Sequence, residues 1–317
     1  MNKEERTVAS SAQTILSQAA SVVVGKDETL MWTLAAILAR GHVLLEDIPG
    51  VGKTTMALAF SKTLNLDYSR VQFTPDVLPS DITGYSVLNQ ADGRMIYQPG
   101  AVLCNLFLAD ELNRATSRTQ SALLEAMEEG QVTVDGISHA LPQPVVVIAT
   151  QNPTGAAGTQ LLPDSQMDRF MIRLSMGYPA PVDEIAMVLN RQGGNPLHTL
   201  APVMTREHLM ELQDLVEATH VSEAVVSYIV SLIAETRRHP EIRRGASPRA
   251  TLAVVAMSKA AARLRGRDYV IPADVKEVFV RTLSHRLLLT AQAESTGRTP
   301  ADLLGAILAA VPQPKLR

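Results

Sequence analysis

The sequence predicts an α/β core over residues 1–180, followed by an all-α domain over residues 181–317. Three observations carry this reading. Short continuous apolar runs at residues 42–45, 103–109 and 145–149 are separated by segments of helical periodicity, the pattern of a parallel sheet buried on both faces. A glycine-bearing loop follows the first run and opens a helix. Past the stiff linker Tyr178-Pro179-Ala180-Pro181, only helical periodicities remain.

The elements follow in chain order. Apolar residues recur at helical spacing through Ile15, Ala19 and Val23, and again through Leu30, Leu34, Ile37 and Leu38. Val23-Val24-Gly25-Lys26-Asp27 breaks them into two helices. His42-Val43-Leu44-Leu45 is the first strand, and residues 54–64 form the helix after the loop. The stretch 82–100 carries Asp92-Gly93 between short β-like pieces, and 131–141 carries Asp135-Gly136 flanked by Val132, Val134 and Ile137. Both are hairpin signals, inserted between sheet strands. In the second domain, Val225, Val226, Ile229 and Ile233 mark one helix. Ser247-Pro248 and the capping box Thr299-Pro300-Ala301-Asp302 start two others.

Composition narrows the function. Hydrophobic residues make up 46% of the 317, enough for a sizeable core and too many for a disordered chain. Lys+Arg number 29 against 32 Asp+Glu, a net charge of −3, which argues against wholesale wrapping of nucleic acid. Aromatics are only 4%, which speaks against a base-stacking surface. The single cysteine, Cys104, excludes an internal disulfide and a thiolate zinc cluster and reads as a small core residue. No apolar run reaches a membrane span and no secretory signal is visible, so the expected compartment is the cytoplasm. The basic cluster Arg237-Arg238-His239 with Arg243-Arg244 reads as a solvated face or a subunit contact, with a nucleic-acid patch as the minority view.

Chemistry concentrates at two strand ends. Pro49-Gly50-Val51-Gly52-Lys53-Thr54-Thr55 lies between a strand and a helix, where backbone N–H groups and the helix N-terminus can hold phosphates. Lys53 would reach the β- and γ-phosphates, and Thr54 would offer its hydroxyl to Mg²⁺. Asp47 replaces the first glycine of G-x-x-x-x-G-K-[ST], a position where its tolerance of left-handed backbone would preserve the loop. The apolar run ending at Ala109 delivers Asp110 and Glu111 to its C-terminal edge. Asp110 would hold Mg²⁺, and Glu111 would polarise the attacking water.

The stretch Leu45-Glu46-Asp47-Ile48-Pro49-Gly50-Val51-Gly52-Lys53-Thr54 resembles the phosphate loop of the MoxR family of AAA+ ATPases. Asp110-Glu111-Leu112-Asn113-Arg114-Ala115 and the segment from Gln120 to Glu129 are similar too. The resemblance covers nearly the whole chain and makes Asp47 usual for the family. It implies a P-loop NTPase core with a helical lid, ATP and Mg²⁺ as ligands, and ATP hydrolysis. It implies that Asn152 is sensor 1, that Arg169 is an arginine finger given to the next subunit, and that Arg249 is sensor 2. Val24 and Gly25 would back the adenine. The two hairpins are similar to the helix-2 insertion and pre-sensor-1 hairpin of a clade that includes magnesium-chelatase motors. Arg114 either reaches across a subunit boundary or pairs with Glu111. The expected work is remodelling or maturation of client proteins by a hexameric ring, alongside a partner bearing a von Willebrand factor A domain. A DNA-acting motor is the alternative. It would need basic pore hairpins, yet the first hairpin carries only Arg94 opposed by Asp92, and the second has no Lys or Arg. A small-molecule kinase would need neither the helical lid nor an interface arginine.

Overall fold

The computed structural model describes residues 3–91, 93–152 and 162–314, with side chains from residue 8 onward. Asp92, in the expected turn of the first hairpin, lies outside the described residues. The chain opens with α1 (Lys3–Ala20) and α2 (Asp27–Leu38), then β1 (Val43–Glu46), α3 (Lys53–Thr63) and β2 (Tyr68–Gln72). The short α4 (Pro79–Thr83) leads into the hairpin β3 (Gly84–Leu88) and β4 (Met95–Pro99). Next come β5 (Leu106–Asp110), α5 (Ser117–Glu129), the hairpin β6 (Gln131–Val134) and β7 (Ile137–Ala140), then β8 (Val146–Gln151), α6 (Asp164–Met167) and β9 (Ile172–Leu174).

Five strands form one sheet in the order β2-β5-β8-β1-β9, every neighbour parallel. The alternation of a strand divides its side chains between two cores. Val43, Leu45, Leu106, Leu108, Val146, Ile148, Ile172 and Leu174 pack with α1, α2 and α3 on one face. Leu44, Phe107, Ala109, Val147 and Ala149 pack with Leu123, Leu124 and Met127 of α5 on the other. The continuous apolar runs of the sequence are therefore strands covered on both sides. The two hairpins form where expected, each as a separate antiparallel pair. Tyr97 of β4 stacks on His139 of β7, with ring centroids 3.7 Å apart, so the hairpins touch each other.

After β9 the chain is mostly helical: α7 (Pro181–Arg191), α8 (Arg206–Glu217), α9 (Glu223–Arg238), α10 (Pro248–Leu264), α11 (Pro272–Leu283), α12 (Ala291–Ser295) and α13 (Pro300–Ala310). The expected starts at Ser247 and Thr299 hold: each accepts a backbone N–H at the head of α10 and α13, as Ser222 does at the head of α9. The second domain is helical as expected, with one small addition. Ile242–Arg244 (β10) and Leu288–Leu289 (β11) form a small antiparallel ribbon, and three or two residues are too few to show a period of two. No helix among the described residues is long and apolar enough to cross a membrane.

Candidate functional site

The C-terminal ends of β1, β5 and β8 lie side by side, so each brings its polar terminus to one edge. The loop after β1 turns on Gly50 (φ 86°) and Gly52 (φ 100°), conformations that glycine adopts without Cβ strain. Asp47 is not among the left-handed residues, which corrects the expected reason for its presence. Its carboxylate instead accepts hydrogen bonds from the Ser175 hydroxyl (3.0 Å), the Met176 amide and the Gly177 amide (2.9 Å).

Lys53 begins α3 and is buried. Its ammonium donates to the main-chain oxygens of Asp47 (2.7 Å) and Ile48 (3.1 Å). Burial lowers its pKa, and the carboxylates of Asp47, Asp110 and Glu111 oppose the lowering. A cleft of about 650 Å³ runs from this loop to α7. Val24, Pro49, Gly50, Val51, Gly52 and Thr55 line one side, and Met187, Asn190 and Arg191 of α7 the other. Gly25 adjoins the cleft without lining it. Its φ is 70°, and an added Cβ would lie 2.1 Å from Oδ2 of Asp183, so only glycine fits. Thr54 follows Lys53, half-buried and outside the cleft lining.

The acidic pair is held by neighbouring strands. Oδ1 of Asp110 accepts from the Thr150 hydroxyl (2.7 Å), and Oδ2 pairs with Arg70 of β2 (2.7 Å). Thr150 in turn accepts the amide of Glu111 (2.8 Å). Glu111 has a left-handed backbone (φ 57°), a conformation that costs a non-glycine residue on the order of 1 kcal/mol and recurs at functional sites. Its carboxylate accepts from Arg114 (2.9 Å) and Asn152 (3.2 Å). The Arg114 hydrogen bond holds the Glu111 carboxyl below its ordinary pKa, burial opposes, and Asn152 adds to the lowering. Of the two alternatives for Arg114, the structure has the pairing with Glu111.

Arg169 and Arg249 are elsewhere. Both guanidiniums pair with Glu128 at the end of α5, Arg169 at 3.1 Å. With His42 and Met127 they line a separate cavity of about 180 Å³. The neighbouring Asp168 bonds to Arg286 (2.7 Å) and the Ser247 hydroxyl (2.8 Å). His42 precedes β1 and the phosphate loop follows it. The four residues of β1 lie between His42 at the arginines' cavity and Asp47 at the loop, five steps of extended chain or roughly 16 Å.

The basic cluster is partly tied down. Arg244 pairs with Asp164 (3.0 Å), and Arg237 donates to the Ala246 carbonyl (2.8 Å).

Comparison with known proteins accounts for this layout. The description "ATPase family associated with various cellular activities (AAA)" matches residues 42–172, and "AAA lid domain" matches residues 234–307. Chaperone MoxR1 of Mycobacterium tuberculosis is 38% identical over 93% of this chain and 80% of its own. The chain belongs to the MoxR family of AAA ATPases. Protein MoxR of Paracoccus denitrificans is 32% identical over 92% of this chain and 93% of its own, and a Bacillus subtilis protein named YeaC is 45% identical over 93% and 92%. A crystal structure of a provisionally assigned ATPase from Cytophaga hutchinsonii superposes with a TM-score of 0.92 at 34% identity, covering 99% of this chain and 98% of the other. This MoxR-family chain accordingly binds nucleotide and hydrolyses ATP. Lys26, which also lines the cleft, and Arg70 and Thr150, which hold Asp110, are site residues that sequence reasoning missed. None stands in a local motif.

Proposed function

We propose that this MoxR-family ATPase works as a ring in which each triphosphate pocket is built by two chains, and that it remodels client proteins. The observation that carries the reading is the convergence of Arg169 and Arg249 on Glu128, at the opposite end of β1 from their own phosphate loop. Two guanidiniums held beside one surface carboxylate, out of reach of the chain's own site, are positioned for a neighbour's phosphates. The α/β part to residue 180 and the helical part from 181 act as core and lid across the cleft.

Lys53 and the loop amides bind the phosphates, Val24 and α7 enclose the base, and Gly25 backs it from just outside the cleft. Asn152 orients a water, and Glu111 takes its proton as it attacks the γ-phosphorus; the bond to the β–γ bridging oxygen breaks and that oxygen leaves with ADP. Arg114 must release one carboxylate oxygen for that transfer. Arg169 and Arg249 of the adjacent subunit stabilise charge on the transferred group. The Thr54 hydroxyl and the Asp110 carboxylate are hard oxygen donors that suit Mg²⁺, although Asp110 must exchange its Arg70 partner. Bound there, Mg²⁺ would neutralise developing phosphate charge.

The client reading is supported by the name of the MoxR1 relative, a chaperone, and by the exposed Tyr85, Leu88, Met95 and Ile96 of the first hairpin. A von Willebrand factor A partner fits the family resemblance. Specific ATPase activity measured against protein concentration tests the ring. It should fall on dilution as chains separate, and constant activity per chain at every concentration would contradict it.

A further inference from the structure

Two buried charges grip the segment that carries the chain from sheet to lid. Ser175-Met176-Gly177-Tyr178 follows β9 and leads through Pro179-Ala180-Pro181 into α7. From one side, the Asp47 carboxylate accepts the Ser175 hydroxyl and the amides of Met176 and Gly177. From the other, the Lys26 ammonium donates to the carbonyls of Met176 (2.6 Å), Gly177 (3.1 Å) and Tyr178 (2.9 Å). Asp47 is 7% exposed and Lys26 is 9%. A buried ion is costly unless paired or fully hydrogen-bonded. These two are satisfied by the polar groups of one four-residue strap, through charge-assisted bonds of the strong kind.

Asp47 has a second contact. Its main-chain oxygen accepts the Lys53 ammonium at 2.7 Å. One residue therefore holds the phosphate-binding amine by its backbone and the lid strap by its side chain. We infer that Asp47 is a positioning residue that transmits occupancy of the phosphate site to the lid, with Lys26 as the opposing clamp. The inference rests on the ATPase reading above. Phosphate oxygens compete with the Asp47 and Ile48 carbonyls for Lys53. As the amine moves to the nucleotide, residue 47 is freed to turn, and its carboxylate draws the Met176 and Gly177 amides with it. The prolines that follow make the strap stiff, so the displacement reaches α7. Asp183 in the first turn of α7 already abuts Gly25, and Met187, Asn190 and Arg191 of the same helix face the cleft.

Asp47→Gly tests this sharply, because it restores the glycine common at the head of a phosphate loop while deleting the strap's acceptor. The full chain is compared with wild type for Mg·ATP affinity, kcat, and deuterium uptake of the peptide spanning residues 175–180, with and without a non-hydrolysable ATP analogue. In wild type, the analogue should change the strap's exchange rate at least about threefold, and affinity in Asp47→Gly should stay within about threefold of wild type. Its kcat should fall about tenfold or more, and the nucleotide-dependent change in strap exchange should vanish. Asp47→Asn keeps an acceptor oxygen and should recover part of both. Wild-type kcat with an intact exchange response in Asp47→Gly would overturn the inference. So would a loss of affinity as large as the loss of kcat, which would make Asp47 a loop-shaping residue only. Should Asp47→Gly fail to melt cooperatively, Asp47→Asn and Lys26→Met decide by the same readouts. The exchange arm needs binding and not turnover. A wild-type chain that bound ATP without hydrolysing it would therefore sink the ATPase reading, and the strap would still be judged by its exchange.

Discussion

Mixing two inactive variants should restore activity that neither has alone. Arg169→Ala is expected to keep nucleotide binding and lose on the order of 10³-fold or more in rate, the usual effect of removing an arginine finger. Lys53→Ala is expected to lose nucleotide affinity. The first effect is not one of folding. Arg169 and Glu128 are 29% and 34% exposed, and such pairs contribute about 0–1 kcal/mol, while Glu128 keeps Arg249. The two substitutions sit at opposite ends of β1 and, in the proposed ring, would face different neighbours. In a head-to-tail ring each pocket meets one neighbour. At equal amounts, half the pockets have an intact Lys53 and half of those face an intact Arg169, so the mixture should reach about one quarter of the wild-type rate. The assay is phosphate release at fixed total chain concentration over a range of mixing ratios, with a maximum at equal amounts. No rescue at any ratio would refute a role in trans, as would a wild-type rate in Arg169→Ala alone.

Two further predictions concern the scaffold of the site. Arg286→Met should lower the free energy of unfolding by about 3 kcal/mol, because it leaves Asp168 and the Phe170 carbonyl without a guanidinium whose side chain is only 2% exposed; a denaturant titration showing a much smaller change would count against it. His42 beside the arginine cavity has its pKa lowered to about 4 by burial, the Met127 carbonyl opposing. The unfolded chain therefore binds a proton that the native state refuses between pH 6.5 and 4, so stability present above pH 6.5 is lost as pH falls through that window. His42 as a residue is only part-buried, which makes about 3 kcal/mol an upper bound. Unfolding midpoints across that range should drop less steeply in His42→Gln than in wild type, and identical slopes would remove His42 as the cause.

Much of this architecture was legible because its signals are local. The buried strands β1, β5 and β8 are apolar on both faces and stand out as runs, and both hairpins announce their turns. The strand β2 escaped notice because its Tyr68-Ser69-Arg70-Val71-Gln72 is an edge strand with mostly part-exposed, polar side chains. The strand β9 is only three residues with Arg173 at its centre. At the site, Lys53, Asp110 and Glu111 are found from neighbours in sequence. Lys26 gives no such cue, since the Met176 carbonyl that it holds is 150 residues away, and Arg70 reaches Asp110 across 40. For Asp47 the local motif suggests only backbone tolerance, whereas its contacts are made by the carboxylate to a distant strap.

The most direct test of the shared pocket is a structure of the assembly formed by Glu111→Gln, which is expected to bind ATP and not turn it over. The account predicts the Arg169 guanidinium of each subunit within hydrogen-bonding distance of the γ-phosphate held by the adjacent subunit's Lys53. Arg169 still paired with Glu128 in every nucleotide-filled subunit, with each pocket closed by its own chain alone, would contradict it.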